Sequence, residues 1–93
     1  MEIQALLNAS KCVIARNVTE IVQAAKVHWN PVSSHLALVY GYKLAPSEDD
    51  LERQELAITE LLAEFSDIIT AECSWSISDS EVPNDGMLIY RRS

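Results

Sequence analysis

Residues 46–67 read PSEDDLERQELAITELLAEFSD, a stretch that carries its own start signal, its own apolar stripe and most of the charge of the chain. Ser47 stands where a hydroxyl caps the first turn of a helix. Asp50, three residues on, completes a variant of the capping box. Glu48, Asp49 and Asp50 place carboxylates at the positive end of the helix dipole. At about 100° per residue, Leu51, Ala57, Ile58, Leu61, Leu62 and Phe65 share one face. Glu52, Glu55, Glu60 and Glu64 occupy the rest of the circumference, with Leu56 the one large apolar residue opposite the stripe. One side is built for burial and the other is strongly anionic.

The charge count isolates this helix from everything around it. The chain has 14 acids and 7 bases, a net charge of −7. Residues 47–67 hold eight acids and one base, Arg53, so they account for the whole of it, and the remaining residues sum to zero. An isoelectric point near 4.6 speaks against nucleic acid or an anionic membrane as direct partner, because phosphates would be repelled. It favours a basic protein.

The flanks of the helix alternate with a two-residue period. Upstream, Leu36, Leu38, Tyr40, Tyr42 and Leu44 alternate with Ala37, Val39, Gly41 and Lys43, a strand with one large apolar face and one small face. Downstream, Ile69, Ala71, Cys73, Trp75 and Ile77 alternate with Thr70, Glu72, Ser74, Ser76 and Ser78, a half-buried strand with a polar outer side. DSEVPNDG follows as a polar loop, and MLIYRR closes the chain as a short strand. Residues 2–28 read as helical, because Ile3, Leu6, Leu7, Val13, Ile14, Val18, Ile21, Val22 and Ala25 recur at three- and four-residue steps. Asn17 and Glu20 resemble a second helix start. The expectation is a short first helix, an ambiguous KCVIAR stretch at 11–16, and a second helix through Val27 that Pro31 terminates.

At 93 residues, the chain makes one domain with a modest core. The expected fold class is α+β, in the order α(α)-β-α-β-β. N-terminal helices and the acidic helix pack on a three-stranded mixed or antiparallel sheet in a two-layer sandwich. The last strand is expected antiparallel to its predecessor, between the other two.

The sequence carries no catalytic motif and points to no enzyme. His28 and His35 flank HWNPVSSH without metal-ligand spacing, and Cys12 and Cys73 stand far apart, so no metal site or cofactor is expected. Cys73 sits on the apolar face of its strand and reads as a core thiol. Gly41 and Gly86 are the only glycines, which leaves no phosphate-binding loop. The N-terminus lacks the pattern of a secretory signal and no apolar run reaches membrane-spanning length, so the two thiols suit a reducing cytoplasm. The candidate partner-binding residues are therefore carboxylates: Glu48, Asp49, Glu52, Glu55, Glu60 and Glu64 on the helix, with Asp79, Glu81 and Asp85 on the loop. Tyr40, Tyr42, Trp75 and Tyr90 are candidate aromatic anchors wherever they reach the surface.

The order strand, acidic helix, strand, polar loop and LIYRR ending, over residues 36–92, resembles that of immunity proteins of bacterial contact-dependent growth-inhibition systems. The resemblance covers about two thirds of the chain and carries no family residue over position by position. It implies a cytoplasmic inhibitor that binds a cationic toxin domain at or beside its active site. The leading expectation is a stoichiometric inhibitor of a basic toxin, a nuclease acting on RNA, whose polyanionic substrate the acidic helix mimics. The alternative is a small homo-oligomeric structural domain, a homodimer pairing through a strand edge or the Ala37-Val39-Gly41 face, or a small-molecule-binding α+β domain.

Overall fold

The computed structural model describes residues 2–77 and 87–91. The first surprise lies at the N-terminus. The ambiguous KCVIAR stretch is helical and belongs to a single helix α1 (Ile3–Asn17), while the expected second helix is a strand, β1 (Val22–Asn30). Its pairing explains the misreading. A bulge between Val22 and Ala24 interrupts the two-residue alternation and puts Ala24 and Ala25 side by side in the buried set. Burial at Val22, Ala25 and the flanking Ile21 then falls into three- and four-residue steps, which a period count takes for a helix. Asn17 caps no new helix. It ends α1, with its Nδ2 donating to the Val13 carbonyl at 2.9 Å.

β1 turns into β2 (His35–Tyr42) through residues 31–34, where the Asn30 side chain accepts from the backbone N–H groups of Val32 and Ser33. Ser34 takes the left-handed conformation there, with φ 53°. Helix α2 (Glu48–Glu64) follows, then β3 (Thr70–Ile77) and β4 (Met87–Arg91). The expected class, α+β, holds, but the sheet has four strands rather than three, in the order β3-β2-β1-β4. β2 and β3 are parallel neighbours bridged by α2, whereas β1 is antiparallel to both β2 and β4. It follows that β4 runs in the same direction as β3 and lies at the opposite edge. The expectation of a terminal strand antiparallel to β3 and inserted between the others is overturned, because β1 already occupies the pairing edge of β2.

Both helices cover one sheet face. Leu36, Leu38, Tyr40 and Tyr42 point into that layer as the alternation predicts, and all four are buried. They meet Ala25 and Val27 from β1, Leu6, Val13 and Ile14 from α1, and Ala57 and Leu61 from α2. Tyr40 and Tyr42 stack at 5.9 Å between ring centroids, and Trp75 meets Tyr42 edge-on at 6.3 Å. Burial pushes the Tyr40 phenol well above its ordinary range.

Candidate partner-binding surface

The surface begins at the start of α2. Ser47 accepts from the Asp50 backbone N–H, and the Asp50 carboxylate accepts from the Ser47 backbone N–H at 2.8 Å, so the predicted capping box forms in full. Asp50 has a second role that local sequence could not reveal. Its other oxygen accepts from the Thr19 hydroxyl at 2.5 Å, which ties the head of α2 to the turn between α1 and β1. Hydrogen bonds from Thr19 and then from Ser47 hold the Asp50 carboxyl below the usual carboxylate range, against a smaller opposing effect of burial.

With Asp50 fixed, the helix presents Asp50, Gln54, Ala57 and Leu61 as its buried line. The two polar members are both satisfied, since Gln54 donates to the Tyr42 hydroxyl. This line is rotated by roughly 50° from the centre of the apolar stripe, at the helical angle per residue. As a result Leu51 and Leu62, expected in the core, are each 39% exposed. Leu51 stands on the flank of α2 that faces β3.

The carboxylates divide into groups. Glu48, Glu52 and Glu55 are exposed and follow one another at four- and three-residue steps along the outer side, and none of the three makes an ion pair among the described residues. Asp49 is exposed, within 3.8 Å of Arg53 one turn on. Glu64 is exposed near the C-terminal end. Glu60 is placed differently. It turns toward α1, where it accepts from Asn17 at 2.8 Å and pairs with Arg16 at 3.3 Å, so its charge is used inside the molecule. Asp79, Glu81 and Asp85 lie outside the described residues.

Of the candidate aromatic anchors, Tyr40 and Tyr42 are core residues, Tyr90 is half-buried, and Trp75 is 44% exposed. Trp75 borders a groove of about 400 Å³ between α2 and β3, with Leu51, Glu55 and Ile58 on the helix side and Ala71 and Cys73 on the strand side. Sequence reading missed this groove. Cys73, expected as a core thiol, is only half-buried and lines the groove, and its thiol donates to the Gln54 carbonyl at 3.7 Å. Burial first, then the negative charges of Glu55 and Glu72, push that thiol up to about 11. His35 opens β2, and its ring nitrogens reach Thr70 Oγ1 at 2.7 Å and Glu72 Oε1 at 3.2 Å, pinning β2 to β3.

The arrangement is a charged and partly apolar surface, with no nucleophile–base pair assembled among the residues described above. A family model described as MafI2 immunity protein matches residues 3–93. The chain belongs to the MafI2 immunity protein family. Among curated proteins no match is found. Membership makes it an immunity protein of a toxin system, as the likeness over residues 36–92 implies, and its partner is a toxin that it neutralises. Among the described residues no helix is long and apolar enough to cross a membrane.

Proposed function

We propose that this immunity protein works in the cytoplasm as a stoichiometric, non-catalytic inhibitor that sets the exposed carboxylates of α2 against a basic toxin domain, a nuclease acting on RNA. The observation that carries the reading is the stripe Glu48, Glu52 and Glu55, exposed on a rigid helix in a chain whose net charge of −7 resides in that region. A nuclease that grips a polyanion offers a cationic surface, and a row of carboxylates competes for it as a mimic of the phosphates. Asp49 and Glu64 widen the field. Glu60 adds little, because Arg16 and Asn17 already neutralise and hold it. Asp79, Glu81 and Asp85 are proposed as a second contact on charge alone. Delivery of the toxin by cell contact belongs to the same proposal.

The test is the association rate with the purified cognate toxin domain, measured across a salt series, for the parent chain and for a Glu48→Gln, Glu52→Gln, Glu55→Gln, Glu64→Gln variant. Association should slow by about ten-fold or more at low salt, and its salt dependence should flatten. Equal rates at low salt would sink the mechanism. A second reading, self-association, is favoured by the sheet face opposite the helices, where Ala37 and Val39 are partly exposed. Sedimentation of the free chain separates monomer from dimer directly.

A further inference from the structure

We infer that the toxin adds an extended, basic segment to the free edge of β3, as a fifth strand whose lysine or arginine side chain enters the groove beside Glu55. The inference rests on the inhibitor reading above and names where the grip lies.

Three observations converge on this margin. Among the described residues β3 is an edge strand, bonded only to β2, and it runs for 8 residues with its outer backbone groups unpaired in the sheet. Edges of this length invite another chain to continue the ladder. The side chains that such a strand would cover are already apolar and exposed. Trp75 and Ile77 stand 44% and 48% exposed on the helix-facing side of β3, and Leu51 of α2, 39% exposed, lines the groove with Trp75. Large apolar side chains gathered along one sheet margin mark an interaction surface rather than scatter.

Charge selects the occupant. Glu55 opens into the groove, Glu72 lies at its strand side, and the outer stripe of Glu48 and Glu52 runs above it. The Cys73 thiol lines the groove and is raised first by burial and then by the negative charges of Glu55 and Glu72. A cationic side chain with an aliphatic stem matches a site that is apolar along Leu51 and Ile58 and anionic at Glu55, with the aromatic side chain of Trp75 at its border. A groove of about 400 Å³ has room for such a side chain. The opposite edge, β4, is shorter at 5 residues and carries Arg91 on the strand itself, so a basic segment is disfavoured there.

The test uses the full chain with its purified cognate toxin domain and reads amide hydrogen exchange, which needs no substitution. In the complex the amides of β3 should exchange at least about ten-fold more slowly than in the free chain, with smaller changes on β4. Unchanged exchange along β3, or protection centred on β4 or on the sheet face away from the helices, overturns the inference. Two variants then separate it from the broader reading. Trp75→Ala, checked by circular dichroism for an intact fold, should speed dissociation by about ten-fold, whereas Glu48→Gln with Glu52→Gln should act mainly on association. If the outer-helix variant slows association while Trp75→Ala leaves dissociation unchanged, the groove is refuted and the acidic helix stands. If neither variant alters binding, both readings fall.

Discussion

Replacing Asp50 with alanine removes three hydrogen bonds from one carboxylate: those from the Ser47 backbone at 2.8 Å, the Ser47 hydroxyl at 2.9 Å and the Thr19 hydroxyl at 2.5 Å. Loss of a helix cap costs about 1 kcal/mol. A hydrogen bond to a charged acceptor contributes about 1.5 kcal/mol or more. Asp50 is only 7% exposed, yet it is sheltered by its own capping partners rather than sunk in the core. Solvent screening therefore holds the total near the low end, at roughly 2 kcal/mol. In a domain of this size that lowers the melting temperature by about 8–16 °C. The pH dependence has a definite sign. The folded-state carboxyl lies below its ordinary value of 3.8, so its contribution is fully present above that value and is lost as pH falls through the folded one. Urea titrations followed by circular dichroism should show Asp50→Ala destabilised at neutral pH, with the gap to the parent chain closing from about pH 4 downward. Asp50→Asn, which keeps an acceptor, should lose less. Thr19→Val and Asp50→Ala together should cost less than the sum of their separate losses, because the two share one bond. A neutral-pH penalty under about 0.5 kcal/mol, or one that persists undiminished in acid, would refute the assignment of Asp50 as the ionised hub that locks α2 to the α1–β1 turn.

Glu60→Ala should destabilise the fold by about 1 kcal/mol, because buried Asn17 loses one of its two acceptors, while Glu60→Gln should cost less; equal losses in urea titration would assign the effect to Arg16 instead. In the native chain Cys12, which is exposed, should react with a thiol reagent at mildly alkaline pH well before Cys73; Glu55→Gln should lower the Cys73 titration from about 11, followed by thiolate ultraviolet absorbance, and an unmoved midpoint would remove Glu55 from the groove's field. Leu61→Ala, at a fully buried position between α2 and the sheet, should cost about 2–5 kcal/mol in a thermal or urea melt, and a loss under about 1 kcal/mol would place the core elsewhere.

What the sequence made legible depended on whether the deciding partner lay nearby in the chain. The capping box of Ser47 and Asp50 spans three residues and is as predicted. The alternation of β2 survives because its helix-facing residues are uniformly large and apolar. The acidic character of α2 could be read because a charge count does not depend on topology. β1 failed as a reading because a bulge, a feature of pairing with β2, shifted its burial into helical steps. Once β1 is mistaken for a helix, β4 has nowhere to pair except beside β3, so one local error moved a strand across the sheet. Glu60 was nominated for a partner because Arg16 and Asn17, which engage it, are 44 and 43 residues away.

The stripe on α2 was misjudged for the same reason, and that error bears on function. Asp50 and Gln54 look like solvent-facing residues until Thr19 and Tyr42 arrive from elsewhere to satisfy them. Burying those two polar side chains rotates the helix and turns Leu51 and Leu62 outward. A helix optimised only for its own core would sink its leucines and leave Gln54 in water, since each buried leucine contributes on the order of 2 kcal/mol. This chain instead satisfies polar groups inside and keeps Leu51 in the groove with Trp75, where Glu55 supplies charge. On the inference that the toxin docks along β3, the discrepancy between the apolar stripe and the buried line marks the surface that the toxin would cover.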